Sequence, residues 1–145
     1  MIKCLLTMLV LVLPAFVVWA DEASDKERQR FVGEWKGFVV EGKGENPNRG
    51  PVKLSLKITA EGIVATQDKD GDLGEGTFSF DLAASPRAID AKRTKAPGVG
   101  QTFLGIYELE GDTLKWCTGN PRRERPTEFV TKTGQFLIIL KRKQL

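Results

Sequence analysis

Val52-Lys53-Leu54-Ser55-Leu56-Lys57-Ile58-Thr59 alternates apolar and polar residues without a break. In an extended chain a period of two puts successive side chains on opposite faces, so the segment predicts a strand with one face in a core and one in water. Thr77 to Leu82 alternates again, with Phe78, Phe80 and Leu82 on one face, and 33–40, 63–67, 88–93, 102–109, 113–118 and 136–142 read as further strands. Between these runs stand turn formers: the Gly, Asn and Pro of 41–51, Ala60-Glu61-Gly62, the acidic stretch 68–74, Ser85-Pro86, the loop 94–100, Glu110-Gly111-Asp112, the loop 119–126 and Thr133-Gly134. Such connections join antiparallel neighbours and are too short to cross over between parallel ones. Eight short strands in this order predict an all-β barrel or sandwich. One helix is expected, over 24–32. There Ser24 and Glu27 match a capping box, Asp25 and Glu27 suit the positive end of the helix dipole, and Phe31 and Val32 form an apolar edge. It should span about two turns.

The first 20 residues read differently. Met1 to Lys3 is a short positive start, 5–18 is apolar apart from Thr7 and Pro14, and Val18-Trp19-Ala20 precedes the charged Asp21. That is the layout of a secretory signal peptide, with cleavage expected after Ala20. As an uncleaved anchor the run falls short of the roughly 20 residues a spanning helix needs, and Pro14 interrupts it. The expected organisation is a signal peptide over 1–20 and one domain over 21–145, exported to the periplasm, the cell envelope or the medium, with no membrane span after cleavage. About 125 residues suffice for a real core. The formal charge of +3 falls to +2 once Lys3 leaves, far from the clustered excess of a nucleic-acid binder. Cys4 leaves with the signal. Cys117 is then alone, which excludes an intramolecular disulfide and leaves a buried thiol, the expected state, or an intermolecular bond.

The two ends of the domain favour a barrel over a sandwich. In a closed eight-stranded meander the first and last strands pair, which brings Trp35 near Arg142. Either the guanidinium stacks on the indole and plugs one end of the barrel, or Trp35 is an ordinary core aromatic and Arg142 an ordinary solvated charge.

A Gly-x-Trp at 33–35 behind a short helix, with an arginine late in the last strand, resembles the lipocalins and their relatives. ASPRAID at 84–90, GIYELEGDTLKWC at 105–117, RPTEF at 125–129 and LIILKRK at 137–143 together look like an uncharacterised secreted lipocalin-like domain family expanded in planctomycete bacteria. The likeness runs from about Lys26 to Lys143, while VGEW at 32–35 and the 41–51 loop look individual to this chain. It implies a small antiparallel β-barrel and export. It implies no reaction, cofactor or catalytic residue.

Four kinds of chemistry can be weighed on the residues. An eight-stranded barrel has an interior that side chains just fill or that one small ligand occupies. The inward set expected from the alternation is Trp35, Leu54, Leu56, Phe78, Phe80, Tyr107, Leu114, Trp116, Ile138 and Leu140. Of these Trp35, Phe80, Tyr107 and Trp116, with Arg142 at the barrel end, are the expected ligand contacts. The acidic turn Asp68-Lys69-Asp70-Gly71-Asp72 fails as a calcium loop, because Leu73 stands where glycine is required and Ser79 where a bidentate glutamate is required. Arg122, Arg123 and Arg125 could hold an anion, or could simply keep a rim soluble, with Glu124 among them. Catalysis has little to work with. There is no histidine, Cys117 lacks an activating base, and Glu108, Glu110 and Asp112 straddle a turn. The reading is therefore a non-enzymatic exported barrel, without cofactor or metal, for a small apolar or amphipathic ligand. The alternative is an interaction domain with a filled barrel, binding an envelope protein through outward-facing Leu104, Ile106, Leu137 and Ile139.

Overall fold

A computed structural model describes the backbone of residues 16–40, 52–67 and 71–145, and the side chains of 21–39, 52–66 and 74–145. One helix, α1 (Phe16–Phe31), leads into eight strands: β1 (Gly33–Val40), β2 (Val52–Ile58), β3 (Ile63–Gln67), β4 (Gly71–Asp81), β5 (Ala88–Arg93), β6 (Thr102–Glu110), β7 (Thr113–Gly119) and β8 (Gln135–Arg142). Each strand pairs antiparallel with the next, and β8 pairs back onto β1. The result is a closed up-and-down barrel with no free sheet edge, the all-β architecture the alternation predicts.

Alternation decides what lies inside. Along β2 Leu54, Leu56 and Ile58 are buried while Lys53 and Lys57 are exposed. The buried core takes Trp35, Phe78, Tyr107, Leu114, Trp116 and Leu140 from the other strands, with Phe80 and Ile138 packed against it. Every residue expected to face inward does so. Trp35 and Arg142 are direct register partners across the β1–β8 seam.

Three elements differ from expectation. The helix runs 16 residues, beginning at Phe16, so Ser24 lies in its interior and caps nothing. The residues upstream of Ser24 continue the helical backbone, so a capping signature there is overridden. The expected signal peptide lies largely outside the described residues. Among those described, no helix is long and apolar enough to cross a membrane. Strand β4 begins at Gly71, inside the expected acidic turn. The register with β3 slips between Ala65 and Thr66, opposite Gly74 and Asp72, which leaves Leu73 as the extra residue of a bulge. Gly74 has a φ of 128°, which only glycine adopts cheaply, so glycine in this run serves a bulge and not a tight turn.

The third difference concerns the outer face. Ile106, expected to point outward and bind, is 1% exposed. The connection between β7 and β8 folds back along the outside of the wall. Pro126 is buried, the Cys117 thiol donates to the Val130 carbonyl at 3.5 Å, and Arg125 donates to Gly105 O on β6 at 2.8 Å. Leu104 and Leu137 are half-buried, and Ile139 is the exposed member of that set.

Candidate functional site

The two ends of the barrel are built differently. The helix and the three connections β2–β3, β4–β5 and β6–β7 share one end. Phe31, the last helical residue, is fully buried there, with ring centroids 4.9 Å from Phe80 and 5.1 Å from Tyr107. The Trp35 indole N–H donates to Phe31 O at 2.8 Å. The Arg142 guanidinium lies 4.2 Å from the Trp35 ring centroid. It also donates to the carbonyls of Val32 and Arg30 and to Asp112 Oδ1 at 3.0 Å. Of the two readings of this pair, stacking is the one found. Gly33 makes room for it, because a Cβ there would stand 2.9 Å from Arg142 Nη1.

A polar knot ties the helix to the wall. Glu27 is 5% exposed. Its carboxylate accepts from Tyr107 Oη at 2.8 Å, from Arg30 Nη1 at 2.8 Å and from Arg87 Nη1 at 3.4 Å. Burial first, and then the neighbouring Glu27 carboxylate, pushes the Tyr107 phenol well above its ordinary value. Arg28 completes the seal. It donates to Phe78 O at 2.8 Å and to Ala60 O at 3.3 Å, and its guanidinium carbon lies 4.3 Å from the Phe78 ring centroid.

The other end holds, among the described residues, a cavity of about 400 Å³, and the expected 41–51 loop lies outside those residues. Its floor is Leu54, Leu56, Ile63 and Trp116, and its walls rise through Val39, Ala65, Ala91, Phe103, Phe136 and Ile138. Lys92, Arg93, Glu75 and Thr118 also line it. A space of this size with an apolar lining and a few polar groups suits a small organic molecule. Small residues make the space, since Ala65 and Ala91 occupy positions where larger side chains would fill it. Gly105 instead makes room for the Trp116 indole: a Cβ there would lie 2.5 Å from Trp116 Nε1. That indole nitrogen is buried without a hydrogen-bond partner.

The expected ligand contacts therefore separate. Trp116 lines the cavity. Trp35, Phe80, Tyr107 and Arg142 belong to the closed end, where they hold the helix. The three arginines of the β7–β8 connection separate too. Arg125 donates to both oxygens of Asp90, at 2.5 and 3.2 Å, and that pairing holds its guanidinium charged more firmly than usual. The Arg123 guanidinium packs 3.3–3.4 Å from where a Gly134 Cβ would stand, and Arg122 takes a φ of 70° on the surface. Arg125 thus latches the connection to the wall. Cys117 is fully buried, and burial pushes its thiol up. Glu108 meets Lys115 at 3.8 Å and Asp112 meets Arg142, so neither faces a cleft.

Among the described residues no group of three or more His, Cys, Asp or Glu is placed to hold a metal ion. The expected acidic turn at Asp68–Asp70 lies outside those residues. The wall residues Val39, Ile63, Ala65, Ala91, Phe103 and Phe136 were missed as site residues. Their signal was present, since each is in phase with the buried positions of its own strand. Comparison with protein-family models, with curated proteins and with solved structures gives no match.

Proposed function

We propose that this chain is an exported, non-catalytic, lipocalin-like container that carries a small apolar or amphipathic ligand in its barrel. The observation that carries this reading is the apolar cavity of about 400 Å³ among the described residues of one end, set against an opposite end sealed by the helix. A barrel whose interior served only stability would gain by filling that space, because empty volume beside apolar walls forfeits packing. The wall supplies hydrophobic contact, and Arg93, in phase with inward Ile89 and Ala91, suits a ligand with one wet end. The expected localisation is the periplasm, the envelope or the medium, with the helix remaining as the plug after export.

Native mass spectrometry of the chain purified gently from its own exported fraction tests this. A stoichiometric added mass that leaves on denaturation is expected. Ala91→Trp fills the cavity from its wall, and should lose that mass while keeping the fold by circular dichroism. A bare wild-type chain, or an added mass indifferent to Ala91→Trp, overturns the reading. The envelope-protein alternative loses the support of Ile106, which is 1% exposed within the monomer.

A further inference from the structure

The outside of the barrel divides by charge. Strands β7, β8, β1 and β2 follow one another around the wall. Their outward positions, out of phase with buried Trp116, Leu140, Trp35 and Leu54, carry Lys115, Lys141, Lys36, Lys53 and Lys57 against one carboxylate, Glu34. Among the described residues of β3 to β6 the outward positions carry Glu75, Asp81, Asp90, Glu108 and Glu110 against one lysine, Lys92. The charge of the whole chain is small, so this is a separation of charge and not an excess of it.

At the centre of the basic flank stand two exposed apolar side chains. Phe38 is 46% exposed and Ile139 is 39% exposed, and they are register partners across the β1–β8 seam. Phe38 is also opposite Lys53, and Ile139 is opposite Lys115. Lys36 is directly opposite Lys141. Like charges facing each other across a strand pair destabilise the sheet, and exposed phenylalanine gains nothing from water. Folding does not account for this arrangement; a negatively charged partner surface would.

We infer that the flank formed by Lys36, Lys53, Lys57 and Lys141 around Phe38 and Ile139 docks the barrel on a bilayer carrying anionic headgroups, while Lys115 at its margin is paired with Glu108. The choice of cation supports a bilayer over an acidic protein. Every basic outward residue on these four strands is lysine. A lysine ammonium is a point charge suited to mobile headgroups, whereas fixed carboxylates are matched by the planar fork of arginine. The chain places arginines where fixed acceptors exist, as with Arg28, Arg125 and Arg142. Phe38 and Ile139 would enter the headgroup layer while the lysines lie over the phosphates. The inference does not depend on the cavity being occupied.

Flotation of the exported chain with vesicles tests it, using phosphatidylcholine alone and an equimolar mixture of phosphatidylcholine and phosphatidylglycerol. The chain should float with the mixture and not with phosphatidylcholine alone. Binding should weaken between about 0.01 M and about 0.1 M salt, where the screening length falls from about 30 Å to about 10 Å. Each lysine removed should lower the partition coefficient about fivefold, and the triple variant Lys36→Gln, Lys57→Gln, Lys141→Gln about a hundredfold. Its melting temperature should not fall, because the three side chains are exposed. Lys26→Gln with Lys95→Gln, outside these four strands, should leave flotation unchanged. Equal flotation with both vesicle types, flotation with neither, or equal losses in the two sets of variants overturns the inference. Capture of an acidic protein through the same lysines without flotation reassigns the flank to that protein.

Discussion

The closed end and the cavity end of this barrel use the same kinds of residue for opposite purposes. Each has a buried tryptophan. Trp35 at the closed end has its N–H bonded to Phe31 O and its face covered by Arg142. Trp116 at the cavity end has its N–H unpartnered and forms part of a cavity wall. Among the described residues, contacts fill one end, and the other keeps a cavity. A barrel does not need both ends sealed to fold, because its sheet is already closed on itself. The end with the cavity is therefore where function can be accommodated.

If the closed end is the stability centre, Trp35→Ala should have the largest effect, lowering unfolding free energy by about 3–5 kcal/mol in urea titrations. A loss no greater than that of an exposed substitution would break the contrast. Glu27→Ala should cost about 1.5–3 kcal/mol, because it strands the Tyr107 hydroxyl and removes the shared partner of Arg30 and Arg87. The same measurement on Glu27→Gln should recover part of this.

Tyr107→Phe should cost about 1 kcal/mol near neutral pH, and it also carries a pH signature. The folded phenol is raised above its ordinary value of 10.0, so its proton is held in the folded state after the unfolded chain has released it. The contribution of Tyr107 is therefore complete below pH 10 and declines as pH rises beyond it. Melting temperatures taken across that range should fall less steeply in Tyr107→Phe than in the wild type, and parallel curves would show that Tyr107 is not buried against Glu27 in solution.

The smallest effect belongs to the cavity end. Trp116→Phe removes an N–H that has no partner, and this relief offsets the lost ring volume to within about 1 kcal/mol. A loss matching that of Trp35→Ala would mean that the two ends are equally structural and that the cavity is incidental.

Much of this was legible in the alternation. The unbroken period in β2 reports one wet and one dry face, and in-phase positions on the other strands fill the same interior. The Trp35–Arg142 pairing follows from closure, because the first and last strands of such a meander must meet. The division of labour among Trp35, Phe80, Tyr107 and Trp116 was not legible. All four share one phase, and phase gives the face of a strand but not the height along the barrel. The cation choices read as rim solubility, yet Arg125 is a latch because Asp90, 35 residues away in sequence, comes within reach only when β5 and the β7–β8 connection fold together.

Sequence by itself determined the eight strands, their antiparallel order and the inward set, because a period of two and short turns are local properties of a chain. Only the tertiary structure decided which end is sealed, that Ile106 is covered, that Glu27 is buried against Tyr107, and that the lysines of four strands share one flank. Those depend on where non-adjacent segments stop against one another, which follows from barrel closure and packing and is written in no single stretch of the chain.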